Sequence, residues 1–174
     1  MDYFNKEEIM KVCIVMGSKS DYNKLKDAIL ILKEFNVEVV VRALSAHRCH
    51  DQLAEFIKET KSNNVDVIIA AAGKAAHLPG VVAAMTTTPV IGLPISASVL
   101  DGMDALLSIV QMPPGIPVAT VGIDSGKNAA ILAIQIMSIK YNELKDKIEA
   151  YRNKMTQDCL IQDEKLQEEI KEIL

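Results

Sequence analysis

The chain has 174 residues, 49% hydrophobic and 24% charged, and its 19 basic and 23 acidic side chains leave a formal charge of −4. That length suits one domain able to bury its core without staples, the mild acidity offers no footprint for nucleic acid or another polyanion, and no apolar run approaches the roughly 18 residues of a membrane span. The opening MDYFNKEEIM carries acid where a secretion signal carries base, and Cys13, Cys49 and Cys159 are odd in number and far apart, so the chain reads as cytoplasmic with reduced thiols.

In chain order, residues 11–16 form a short apolar run ending at Gly17, the first predicted strand. Leu25, Ala28, Ile29 and Leu32 then recur at helical spacing. A second strand is predicted over 37–42, a helix around Leu53, Phe56 and Ile57, and a third strand over 65–70, before Gly73. Helices over about 78–86, 102–110 and 127–140 alternate with strands over 89–93 and 117–121. Beyond Lys140 the composition turns polar, and the 4-3-4 spacing of Leu144, Ile148, Tyr151 and Met155 predicts a C-terminal amphipathic helix lying across the body or across a partner. Such alternation predicts an α/β fold: a three-layer αβα, flavodoxin-like sandwich with a five-stranded parallel sheet. Residues 1–174 read as a single domain, with about 141–174 as its helical extension.

Charge is sparse in the middle of the chain. Between Val65 and Ile123 only Asp66, Lys74, Asp101 and Asp104 are charged, and Ala129 to Met137 is apolar almost all round apart from Gln135. Burial against a neighbouring subunit accounts for both features; the alternative is a central helix enclosed within its own domain.

Ligands of open α/β sheets bind beyond the carboxyl ends of the strands, near the switch in strand order, which directs attention to the loops after the first three strands. These read Met16-Gly-Ser-Lys-Ser-Asp21, Ser45-Ala-His-Arg48 and Ala72-Gly-Lys-Ala-Ala-His-Leu-Pro-Gly80. Gly17 permits a tight turn, and Ser18 and Ser20 bring hydroxyls to a helix start, a seat for phosphate or sugar; the same residues also suit a plain N-cap, with Ser20 capping and Asp21 at the positive helix end. Arg48 can grip a phosphate through two parallel hydrogen bonds, or form a surface ion pair. His47 carries the side chain that gives and takes protons near neutrality, and His77 sits among small residues where it can meet a planar ligand or serve in packing. GxxxxGK[ST], GxGxxG and GxSxG are absent, and His47, Cys49 and His50 make an incomplete zinc set.

Together these motifs, with Leu107-Ser-Ile-Val-Gln-Met-Pro-Pro-Gly-Ile-Pro117, resemble the N5-carboxyaminoimidazole ribonucleotide mutases of purine biosynthesis, over about residues 11–154. The resemblance implies a flavodoxin-like subunit in a homo-octamer with sites at subunit junctions. It also implies an isomerase that moves a carboxylate from the exocyclic nitrogen of a ribonucleotide to a ring carbon, without ATP, metal or biotin. Carried over, Ser18, Asp21 and Arg48 bind the ribose phosphate with Ser45 beside them, His47 is the general acid/base, and Gly73, Ala75 and His77 line the carboxylate pocket. Cys49-His50 replaces the family's usual Thr-Pro, and Lys74 stands where a second glycine is common. The rival readings are a carboxylase using free carbon dioxide and a non-catalytic nucleotide-binding module.

Overall fold

A computed structural model describes residues 9–97 and 100–174. Five strands form one sheet: β1 (Lys11–Met16), β2 (Glu38–Ala43), β3 (Val67–Gly73), β4 (Val90–Ile95) and β5 (Ala119–Thr120). Their order is β2-β1-β3-β4-β5 and every pairing is parallel. Among the described residues six α-helices accompany them: α1 (Tyr22–Glu34), α2 (His50–Ser62), α3 (Leu78–Met85), α4 (Met103–Val110), α5 (Gly126–Met137) and α6 (Glu143–Ile173). This is the flavodoxin-like order, and its switch point lies between β1 and β3.

Side chains that alternate along a strand divide the interior into two layers. On one face Val12, Ile14, Val67, Ile69, Ile91 and Leu93 pack under α1, α5 and the start of α6. On the other Cys13, Val15, Ile68, Ala70 and Val90 pack under α2, α3 and α4. The central strands read as unbroken apolar runs because both of their faces are covered. β2 lies at the edge and is mostly exposed, and the Arg42 guanidinium sits 4.9 Å from the Phe56 ring centroid.

Burial in the Cys13 layer pushes that thiol up to about 12, so it stays protonated and inert. Gly126 lets α5 close on α1: a Cβ there would lie 2.6 Å from the Lys24 carbonyl oxygen. At the far end of α5 the Tyr141 hydroxyl donates to Asp66 Oδ1 at 3.1 Å, tying the entry to α6 back to the approach to β3.

The elements fall where hydropathy places them, with ends moved by a few residues. β3 and β4 run further than predicted, to Gly73 and Ile95, because alanine, glycine and proline near their carboxyl ends weaken the apolar signal without ending the ladder. β5 is shorter, two residues in place of 117–121. Pro117 has no N–H to give, and only Ala119 and Thr120 register against Ile91 and Gly92. Helix α5 ends at Met137, where Ser138 Oγ donates to the Gln135 carbonyl. Among the described residues it is not wholly enclosed: Ile131, Leu132 and Ile136 stay half-buried.

Candidate active site

The carboxyl ends of β1, β2, β3 and β4 surround one cavity of about 670 Å³. All eight residues expected at the site, Ser18, Asp21, Ser45, His47, Arg48, Gly73, Ala75 and His77, line it. A larger depression, about 790 Å³, opens beside the C-terminal ends of α2 and α3, where Lys58, Lys61 and threonines 86 to 88 line it and no imidazole is present.

The loop after β1 begins with the Gly17 N–H donating to the Ala71 carbonyl at 3.1 Å, which locks it to the neighbouring strand. Ser18 is extended and caps a single 3₁₀ turn over Lys19–Asp21, its Oγ accepting from Ser20 N–H at 3.3 Å. The Ser20 hydroxyl lies 2.9 Å from Ser18 Oγ and 3.1 Å from Asp21 Oδ1, so one proton serves two acceptors. Capping therefore falls to Ser18, not to Ser20 as the sequence suggested. Asp21 occupies the N-cap position of α1 but makes no side-chain cap bond. Burial raises its carboxyl above the usual carboxylate value, outweighing the opposing hydrogen bonds from Ser20 and Ser18.

The loop after β2 is a tight turn from Ser45 to Cys49. The Arg48 and Cys49 N–H groups both donate to the Ser45 carbonyl, at 3.3 and 3.0 Å. The Cys49 thiol lies against the same backbone, accepting from Ser45 N–H at 3.0 Å and donating to Ser45 O at 3.3 Å. With no proline to fix the entry of α2, this thiol latch holds the turn that presents His47 and Arg48. Arg48 is anchored to a carbonyl rather than to a carboxylate: its Nη2 donates to Gly17 O at 3.2 Å.

His47 and His77, thirty positions apart, meet in the cavity. Their Nε2 and Nδ1 atoms are 2.8 Å apart and the rings stand edge to face. One nitrogen donates and the other accepts, so the pair shares a proton. His77 precedes α3 without a cap bond from its side chain, which leaves the ring free to face His47. Gly73 is required by close approach, since a Cβ there would lie 2.9 Å from the Ile95 carbonyl oxygen. Next to it Lys74 holds a left-handed backbone, φ 56°, a conformation that glycine adopts without strain; the glycine usual at this position has that physical reason.

Sequence reasoning stopped at three loops and missed the fourth. Ser96 and Ala97, after β4, line the cavity together with Lys24 of α1. Asp124, not itself in the lining, ties Ser96 to Lys24, accepting from Ser96 N–H at 3.0 Å, from Ser96 Oγ at 2.6 Å and from Lys24 Nζ at 2.5 Å. Burial by itself would raise the Asp124 carboxyl, yet these donors carry it below its ordinary value. The carboxyl end of β4 opens on the same side of the sheet as those of β1 and β3, and reading one strand beyond the switch would have found Ser96.

Among the described residues no three of His, Cys, Asp and Glu are grouped to hold a metal ion, and no helix is long and apolar enough to cross a membrane.

Comparison with known proteins gives the family. The chain is 55% identical over 160 residues to the N5-carboxyaminoimidazole ribonucleotide mutase of Methanocaldococcus jannaschii, covering 92% of this chain and 99% of that one. It is 55% identical over 145 residues to the mutase of the same name from Pyrococcus abyssi, 83% of each chain. The crystal structure of PurE from Treponema denticola superposes with a TM-score of 0.82 at 31% identity, over 90% of this chain and 98% of that one. Residues 11–158 match the family described as AIR carboxylase, and with fold and relatives in accord, the chain belongs to that family.

Proposed function

We infer that the protein is an isomerase of purine biosynthesis that converts N5-carboxyaminoimidazole ribonucleotide to its 4-carboxy isomer. The carrying observation is the convergence of the His47–His77 pair and the Arg48–Gly17–Ser18 rim on one cavity. Arg48 and the hydroxyls of Ser18 and Ser45 provide donors for the nucleotide phosphate. Asp21 is an acceptor and repels phosphate, so the ribose hydroxyls are its partners. With the nucleotide so held, the aminoimidazole lies toward His47.

The reaction is then a proton relay around a carbon transfer. His47 protonates the exocyclic nitrogen as its bond to the carboxylate carbon breaks, and carbon dioxide is released into the pocket. Ala75, Gly73 and His77 confine it beside the ring, which raises its effective concentration over free solution. The electron-rich C4 attacks it, and His47, now basic, removes the C4 proton and restores the aromatic ring. Atoms and electrons balance without a redox step. The relatives that carry the mutase name favour this reading over a carboxylase using free carbon dioxide.

Assembly into an octamer, with residues 1–174 as the repeating domain, accounts for the apolar surface that the isolated chain leaves in water. Met103, Leu107 and Val110 of α4 are each about half exposed, and Asp104 Oδ1 beside them is buried with no hydrogen-bond partner among the described residues. The three free cysteines suit a reducing compartment such as the cytoplasm.

The test supplies purified protein with the N5-carboxylated nucleotide in one cell and with aminoimidazole ribonucleotide plus bicarbonate in another. Turnover confined to the first is expected. Preference for the second identifies a carboxylase, and silence in both a binding module. His47→Asn is expected to keep nucleotide binding while losing at least about 10²-fold in kcat; near-normal turnover would remove His47 from the mechanism.

A further inference from the structure

Among the described residues the cavity is lined by three side chains that carry positive charge at every working pH, Arg48, Lys74 and Lys24. Lys74 stands between Gly73 and Ala75, beside the carboxylate pocket. Lys24 belongs to the opposite side. It lies one turn beyond Asp21 and on the same face of α1. Side chains of a first helical turn lean back toward the helix start, here toward Ser18 and the Gly17 carbonyl against which Arg48 is anchored.

Asp124 fixes where this ammonium stands. Its Oδ2 accepts from Lys24 Nζ at 2.5 Å and from Ser96 Oγ at 2.6 Å, while its Oδ1 accepts from Ser96 N–H at 3.0 Å. The main chain of Asp124 is pinned as well, its N–H donating to the Pro94 carbonyl at 2.9 Å and its carbonyl accepting from Gly126 N–H at 3.0 Å. Asp124 also holds a left-handed backbone, φ 55°. Aspartate enters that region when its side chain can bond to nearby backbone, yet this carboxylate reaches Ser96, 28 positions away, and Lys24, 100 positions away. The ion pair leaves 45% of the lysine side chain and 26% of the aspartate side chain exposed, so it adds little to stability. Its consequence is geometric, since a long flexible side chain is given one place to stand.

An ammonium carries three hydrogens, and Asp124 takes one of them. The two that remain can only donate, so an anionic oxygen is their best partner in a ligand. A phosphate monoester carries roughly 1.5 to 2 negative charges at pH 7, and Arg48 balances only one.

We propose that Lys24 is a second phosphate-binding cation of the nucleotide site, and that Asp124 is the positioning residue that holds its ammonium there. The proposal rests on the reading of this cavity as a nucleotide site. The phosphate is then gripped from two sides, by Arg48 from the loop after β2 and by Lys24 from the first turn of α1.

Calorimetric titration of the full-length protein tests it with two ligands, 4-carboxyaminoimidazole ribonucleotide and aminoimidazole ribonucleotide, which share the phosphate and differ in the carboxylate. Lys24→Met should raise Kd for both by at least about ten-fold, the scale of one hydrogen bond between charged partners. An unchanged Kd would overturn the proposal, and so would a loss confined to the carboxylated ligand, which would put Lys24 at the carboxylate. Asp124→Asn tolerates the left-handed backbone and keeps an oxygen for Ser96 N–H, but turns an amide toward the ammonium. It should weaken both ligands at least about three-fold by itself and add no loss in the Lys24→Met background. Tighter binding would show that Asp124 merely competes for the ammonium, and an additive loss that it acts on the fold at large; either overturns its positioning role. Thermal melts of each variant, with Lys24→Gln as a second neutral replacement, separate binding from folding. An unaltered protein that binds neither nucleotide would sink the reading of the cavity itself, whereas normal binding that is indifferent to Lys24→Met sinks this inference alone.

Discussion

Asp21 stands at the start of α1 with a partly buried carboxyl that no cap bond uses, and burial raises it above the ordinary value of 3.8. A group whose folded value is raised adds stability only while protonated, and that stability is lost as pH rises through the folded value. Ionised Asp21 is thus a cost that the fold bears at neutral pH. Asp21→Asn is expected to melt above the unaltered protein at pH 7 and close to it near pH 4, while nucleotide affinity falls at pH 7. Thermal melts at the two pH values, with a binding titration at pH 7, check both; equal melting at pH 7 would contradict the assigned burial cost. His47 and Arg48 were legible in the sequence as residue types with a chemistry. The 2.8 Å approach of His47 to His77 was not, because it depends on the register of two loops thirty positions apart. The thiol latch of Cys49 was hidden for a similar reason: a lone cysteine carries no spacing signal until its turn has closed.

Among the elements, the central strands were the most legible, since cover on both faces leaves a nearly continuous apolar record. β5 was over-read because a strand needs partners as well as composition, and Pro117 withdraws one of the donors. The seam between α1 and α5 depends on a single absent side chain. A Cβ at Gly126 would press on the Lys24 carbonyl, which is main chain and has little freedom to yield. Gly126→Ala is expected to destabilise the fold by about 1–3 kcal/mol, the cost typical of overpacking, even though alanine suits a helix better than glycine. Urea denaturation measures it, and an unchanged or raised midpoint would show that the seam is slack. Lys24 also reaches the cavity and Asp124, so the same substitution should weaken nucleotide binding.

At the scale of the whole molecule, the charge-poor middle of the sequence has become two kinds of surface. Part is core, on both faces of β3 and β4, and part is the half-exposed side of α4 and α5. A sequence cannot divide these by itself, because burial within a chain and burial between chains use the same residues. Light scattering is expected to give the mass of an octamer of a 19.1 kDa chain. A monomeric mass at micromolar concentration would leave the exposed Met103, Leu107 and Val110 unexplained.

The floor of the cavity is built from Ala72 and Gly73 at the end of β3, with Gly73 so near the Ile95 carbonyl that no side chain fits between them. Such a floor is main chain, and main chain cannot be exchanged one residue at a time. Substitution can redecorate the rim, where Ser18, Asp21, Lys74 and Arg48 stand, but the depth at which a planar ring comes to rest is inherited with the strand register. A lineage seeking a new ligand for this scaffold would have to remodel its edges and leave its base alone.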